Sequence, residues 1–338
     1  MNSVWVSGCG AVGPLGLGLP SRLPQGPGGR APRRVPPDLP LKEGFPPQAV
    51  RWLDHSALWW VNACRQALSG CGEAAREETA QVAGLGWGST LPVQTLIKTA
   101  FGEGFASMNP AVFPYSVGNA PAGQAGLLLK VKGPALTLTA KEPAGLTALV
   151  EACRFLAAGM FPTCLAGGVD EVDPLLWRII RPLRARGAPP SGEGAYALFL
   201  QAGRAQPEGA LARIAAWCSP SEPCPSHKFP DPEALCGRML ETLLLRAGWS
   251  GGSVDLVALP GESLVLRDFS ETFRHARLPG ARALTFQNEL GACGASWAGA
   301  TILASLALAD GGAAKAVLMA AATGGAGWGL ALEGARAE

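Results

Sequence analysis

The sequence is short of charge, of histidine and of long apolar runs. Asp, Glu, Lys and Arg make up 16% of 338 residues, and 28 basic side chains against 26 acidic ones leave a net charge of +2. That balance gives no footing for a polyanion, so nucleic acid is excluded as a principal partner. Two explanations of the low charge stand side by side: a large core rich in Ala and Gly, or a surface covered by another subunit. No stretch approaches the ~18 uninterrupted apolar residues of a transmembrane helix. Val6-Ser-Gly-Cys9 superficially resembles a lipoprotein cleavage box, but neither a basic segment nor a useful apolar run precedes it, and that reading is rejected. The nine cysteines are odd in number and scattered, with no C-x-x-C pair. They are expected as reduced thiols in the cytoplasm, most of them small buried apolar residues.

What is present is small and apolar. Hydrophobic residues reach 48%, with 45 glycines and 29 prolines, short of the ~25–30% Gly plus Pro at which low complexity becomes the default. An ordered chain follows, long enough for two domains or one duplicated one.

The stretch 133–150 organises the rest. It reads as a buried strand running straight into a helix, with Glu142 at the junction and Pro143 at the first helical position, where a missing N–H costs nothing. Leu146, Leu149, Val150, Cys153, Leu156 and Ala157 then recur at helical spacing. A nucleophile commonly occupies such a junction because backbone N–H groups and the helix dipole favour negative charge there; here the residue is a carboxylate. The dipole alone accounts for it at roughly 0.3–1 kcal/mol.

Elsewhere the pattern predicts a first strand over 2–8, a turn over 10–16, and a surface loop over 20–47. A helix over 52–68 follows, with Trp59 off its apolar stripe and facing a neighbour. Strands are expected at 82–87, 163–167 and 195–200, with a helix over 91–104, a turn-rich apolar segment from Asn109 to Asn119 leading into a helix near 121–130, and a polar loop over 181–194. From about residue 205 the alternation repeats: strand 210–217, helix 231–247, strand 254–259, strand 283–288, helix 295–309, and strands 316–321 and 328–332. Ala135-Leu-Thr137 and Ala283-Leu-Thr285 each open a strand at matched positions, which suggests two duplicated α/β halves, 1–204 and 205–338, whose small-residue helices meet in the middle. Alternating elements predict mostly parallel sheets covered by helices.

Read in order, Gly8-Cys-Gly-Ala-Val-Gly-Pro-Leu-Gly16, Asn109-Pro110, Phe113-Pro114, Asn119-Ala-Pro-Ala-Gly123, Gly133-Pro134 through Gly145-Leu146, Ala166-Gly-Gly168, Gly192-Glu-Gly-Ala195, Asp268-x-x-Glu271 and Leu290-Gly-Ala-Cys-Gly294 resemble the β-ketoacyl synthases of the thiolase fold over essentially the whole chain. The resemblance implies an α/β, thiolase-like fold of five α-β-α-β-α layers. A condensing member needs a thiolate, two imidazoles and a lysine. By the resemblance, the cysteine position falls at Glu142, the first histidine at Pro260 in Leu259-Pro-Gly-Glu-Ser263, the second histidine at Asn288 and the lysine at Ala283. All four are substituted. The histidines present, His55, His227 and His275, lie outside these motifs and are expected as surface or satisfied core residues, and Cys153 and Cys164 are not displaced nucleophiles.

Loss of the catalytic set within an intact scaffold is similar to the chain length factors, the non-condensing partners of type II polyketide ketosynthases of the aromatic polyketide or aryl polyene type. Ala144-Gly-Leu146, and Gly167-Gly-Val-Asp170 with Asp173-Pro174 and Trp177, are close to that subgroup; Glu142, where Gln is usual, departs from it. The resemblance implies a heterodimer with a catalytic ketosynthase, an acyl carrier protein bearing the growing chain, no cofactor and no metal. It also implies an acyl tunnel at the subunit interface, touched here by Ala111, Val112, Phe113, Tyr115, Asn119, Thr137 and Thr139. Two rivals remain: a malonyl-carrier-protein decarboxylase using Glu142 as base, and a homodimeric acyl-binding relic.

Overall fold

A computed structural model describes residues 3–24, 31–183, 188–260 and 264–335. Parts of the expected loops 20–47 and 181–194, and Gly261–Ser263 of the Leu259–Ser263 motif, lie outside the described residues. Up to residue 203 the elements are β1 (Ser3–Gly13), β2 (Gly16–Leu17), α1 (Pro47–Val50), α2 (His55–Ala67), α3 (Glu73–Glu78), β3 (Ala80–Leu85), α4 (Thr90–Gly102), α5 (Ala120–Leu129), β4 (Ala135–Thr139), α6 (Ala144–Ala157), β5 (Thr163–Asp170), α7 (Pro174–Ile180) and β6 (Gly194–Gly203). Then come β7 (Ala212–Cys218), α8 (Pro232–Ala247), β8 (Leu256–Ala258), α9 (Leu264–Arg277), β9 (Arg282–Ala283), α10 (Gln287–Leu290), α11 (Ser296–Ala309), β10 (Lys315–Ala321) and β11 (Gly327–Gly334).

The strands follow the order β4-β3-β5-β6-β1-β7-β11-β10-β8-β9, so the order before the β1–β7 step is mirrored after it. Three apolar clusters separate five layers. The central one joins both sheet segments through α6 and α11, with Leu146, Leu149, Val150 and Leu156 of α6 fully buried beside Ile302 and Leu303 of α11. One outer cluster lies under α2 and α5, and the other under α8 and α9. The five-layer α/β expectation therefore holds. A helix can occupy the middle layer only if apolar all round, and α6 touches β3 and β5 on one side and β7 and β11 on the other. Gly145 lets it approach α11, since a Cβ there would stand 2.9 Å from Ala298 N.

Several expectations need correction. The sheet is mixed: β3–β4, β3–β5, β8–β9 and β8–β10 are parallel, whereas β6, β1, β7 and β11 pair antiparallel with their neighbours. Alternation of element types fails to predict this because the connection from β5 through α7 returns β6 in the opposite direction. β1 continues to Gly13, through the stretch expected as a turn. Its glycines serve the helix above: a Cβ at Gly8 would meet Ala67 O at 2.2 Å, and one at Gly10 would meet Ala63 O at 2.0 Å. Trp59 is buried, stacked on His55 at 5.7 Å, because α2 is covered on nearly every side. The expected strand 283–288 shrinks to Arg282–Ala283 and gives way to α10, as Phe286 turns inward against Trp297 (5.2 Å, 70°). Pro143 caps α6 instead of opening it. Helices α7 and α9 were not anticipated.

The largest correction concerns β4. It is not buried. It pairs only with β3, and the side chains of its five residues are exposed or half-buried. Ala, Leu and Thr read alike in a covered strand and in an apolar edge, so the residue types could not tell the two apart.

Candidate functional site

The junction after β4 holds Glu142, the position expected to correspond to a nucleophile, and segments distant in sequence build it. Lys141 has φ 52°, and its carbonyl lies against Gly86 and Gly294, where a Cβ would come within 3.0 and 2.7 Å of it. Glu142 follows, exposed, one residue before the Pro143 cap of α6. Beneath them Asp170, at the end of β5, is fully buried. Its Oδ1 accepts N–H groups from Gly86 (2.9 Å), Trp87 (2.6 Å) and Gly88 (3.1 Å), and its Oδ2 accepts that of Ala295 (3.0 Å). Burial pushes its carboxyl up to about 6, against the downward pull of those four bonds. Asp170 thus fixes the turn after β3 to the start of α11, directly behind the junction.

The other degenerate positions do not form an acid–base set. Pro260 is buried after β8, Ala283 is exposed at the end of β9, and Asn288 is exposed on α10. The Asn288 carbonyl accepts from Arg33 Nε at 2.5 Å. Arg33 lies within the stretch 20–47 expected as a surface loop, in a segment that straps onto residues 191–193. Its N–H donates to Ser191 O (2.7 Å), and next to it Arg34 pairs with Glu193 (2.9 Å). His55 Nδ1 lies 2.9 Å from Glu171 Oε1, and that buried carboxylate raises the imidazole pKa. His275 meets Arg274. Burial pushes the thiols of Cys153 and Cys164 well up, so neither supplies a thiolate at neutral pH. Among the described residues, no group of three His, Cys, Asp or Glu side chains is placed to hold a metal ion, and no helix is long and apolar enough to cross a membrane.

Beside the junction the end of β3, the start of α4, Thr139 of β4 and α7 enclose a cleft of about 340 Å³. Its apolar walls are Leu85, Trp87, Val93, Leu175, Leu176 and Ile179; Ser89, Thr90, Gln94, Ser116 and Asp173 add polar groups. Asp173 caps α7, accepting from Leu175 N (2.7 Å) and Leu176 N (3.0 Å). Ser89 Oγ meets Ser56 Oγ at 2.5 Å, and Ser56 donates to Asp54 (2.6 Å). These bonds fix the cleft's wall from behind.

Of the expected tunnel residues, Thr139 lines this cleft. Thr137 is half-buried on the same edge strand, and Ala111, Phe113 and Asn119 are exposed. Val112 is half-buried in the 3-10 turn Pro110–Tyr115, while Tyr115 packs back onto the small cluster of Val50, Leu53, Ala57 and Leu58. Sequence reasoning missed Trp87, Ile179, Lys141 and Arg33. A large aromatic between two glycines, Gly86-Trp87-Gly88, was the one readable signal: bulk held by a backbone turn. The surface around the cleft is apolar, with Trp87 54%, Ile97 51%, Phe101 84%, Phe105 74% and Phe113 62% exposed, a grouping of the kind that marks an interaction site.

Comparison with known proteins bears on the fold. Residues 40–186 match the family described as β-ketoacyl synthase, N-terminal domain. No curated protein sequence matches the chain. Among solved structures, the ishigamide ketosynthase/chain length factor superposes with a TM-score of 0.84 at 17% identity, covering 99% of this chain and 100% of that one. A type II polyketide synthase acyl-carrier protein in complex with its ketosynthase bound to the hexaketide gives 0.81 at 16% identity, with 99% of each chain covered. A ketosynthase in complex with its chain length factor from Xenorhabdus doucetiae gives 0.77 at 16%, covering 99% and 98%. Residues 40–186 thus match the N-terminal domain of β-ketoacyl synthases, and the whole length shares the fold of ketosynthases and chain length factors.

Proposed function

We propose that this protein is the non-condensing, chain-length-factor subunit of a type II polyketide synthase. It pairs in the cytoplasm with a catalytic ketosynthase, which elongates an acyl chain on a carrier protein. The observation that carries the reading is the pairing of an emptied catalytic set with an open edge. By the resemblance, a carboxylate stands at Glu142 where a thiolate is required and Pro260 and Asn288 stand where imidazoles are required, and β4, the strand that leads to Glu142, offers unpaired backbone groups within an apolar surface. A subunit of this kind acts across an interface, giving shape to a partner's tunnel without touching the reacting atoms.

The cleft next to Thr139 and the segment Ala111–Tyr115 are the parts of this chain that reach the acyl path. Co-expression with its partner ketosynthase should yield a heterodimer and carrier-bound polyketide, whereas the chain alone should not condense malonyl thioesters. Val112→Phe or Ala111→Phe should shorten the product by filling space. Condensation by the isolated chain, or a soluble monomer with no affinity for that ketosynthase, would overturn the reading.

A further inference from the structure

Lys141 is one of two described non-glycine residues with positive φ; the other, Lys130 (φ 58°), ends helix α5. Lys141 ends no helix. A left-handed lysine is strained and persists where its surroundings over-determine it. Here both its ends are held. Its carbonyl is wedged between Gly86 and Gly294, and its ammonium reaches across to the far half of the molecule, donating to Thr323 Oγ1 (2.9 Å), Thr323 O (3.2 Å) and Ser226 O (3.3 Å). An ammonium has three N–H donors, and these acceptors use all of them.

The acceptors belong to two segments already tied to each other. Thr323 lies in the turn 322–326 between β10 and β11, which contains Gly324 and Gly325 at φ 92° and 96°. Ser226 lies in the connection between β7 and α8. Gly324 N donates to Lys228 O (2.9 Å), and Glu222 N donates to Gly325 O (2.7 Å). The turn is closed within itself by Ala322 N donating to Ala326 O (2.8 Å) and Gly325 N to Ala322 O (3.2 Å), and the lysine ammonium links it to the β4–α6 junction. Lys141 also follows within two residues of Thr139, the last residue of the open edge.

We propose that Lys141 is a latch that carries the state of edge strand β4 to the turn 322–326. Pairing of β4 with a partner sets the backbone at 139–141, and through the ammonium it sets the glycine turn facing the vestigial site. This coupling rests on the function proposed above, although the latch itself does not.

Hydrogen exchange on the full chain tests it. Lys141→Met keeps the stem and removes the donors; Lys141→Gly also removes them and relieves the left-handed strain, so it stays informative if the first variant folds poorly. In either variant, amides of 220–228 and 322–326 should exchange about tenfold faster, with α6 and β1 unchanged. Wild-type rates in both variants would overturn the latch. In the complex with the ketosynthase subunit, wild type should show slowed exchange at 322–326 and Lys141→Met should not. An equal response in both, or none in wild type, would overturn the coupling. Failure of the wild-type chain to form any complex would instead count against the proposed function and leave the isolated-chain comparison to decide the latch.

Discussion

Removing the carboxylate of Asp170 should be among the most costly single changes in the protein, and its pH signature should be inverted from that of most acidic residues. In Asp170→Ala the N–H groups of Gly86, Trp87, Gly88 and Ala295 lose the fully buried carboxylate that accepts from them. At the low end of about 1 kcal/mol for each stranded donor, the loss is about 4 kcal/mol. For a chain of this length, with unfolding entropy near 2.1 cal/mol/K per residue, that lowers Tm by about 6 °C. Asp170→Asn separates charge from shape. Its amide oxygen can serve one set of donors, while its NH2 faces the other, so the variant is less stable at acidic pH. In wild type the folded chain holds the Asp170 proton up to about pH 6, against an ordinary value of 3.8. Between those values the folded state binds more protons than the unfolded state, so wild-type stability falls as pH rises through this window and levels off above it. Asp170→Asn has no such slope. Its deficit relative to wild type should therefore shrink by about 2 kcal/mol between pH 4.5 and 6.5, read from urea unfolding at several pH values. Parallel pH profiles for the two proteins, or a cost below about 1.5 kcal/mol for the alanine variant, would refute the reasoning.

Gly145→Ala should destabilise by about 1–3 kcal/mol, because its Cβ would press on the backbone of α11 at Ala298 and Ala295; thermal unfolding with no loss would mean that the two central helices can separate freely. Leu149→Ala, in the centre of α6 and fully buried, should cost about 2–5 kcal/mol by chemical denaturation. Leu136→Lys on the open edge should leave the fold of the isolated chain intact and abolish complex formation in a pull-down; retained binding would move the interface elsewhere. Trp87→Ala enlarges the cleft beside Thr139, and the complex should then make longer products by mass spectrometry. Unchanged products would remove the cleft from the acyl path.

The five layers were legible because the two central helices advertise themselves. Leu146, Leu149, Val150, Cys153 and Leu156 repeat at helical spacing, and Ala295–Ala309 is apolar on every side. What escaped the sequence depends on contacts between distant segments. Arg33 belongs to a Pro-rich loop until the structure brings it to Asn288, 255 residues away. Lys141 reads as one more exposed lysine until its reach to Thr323, across 182 residues, is known. The direction of β6 and the exposure of β4 are likewise properties of the sheet as a whole.

Among the described residues, the main path of the sheet has ten strands, of which only β4 and β9 have a single neighbour, and β9 is two residues long. Of the two, β4 is the longer edge, five residues that are apolar or hydroxylic and carry no charge. Such an edge templates further strand pairing whenever it meets another. In a cell that makes more of this protein than of anything able to cover β4, the surplus would be a substrate for aggregation or for the protease machinery, so its abundance would be set by how much of its edge is covered.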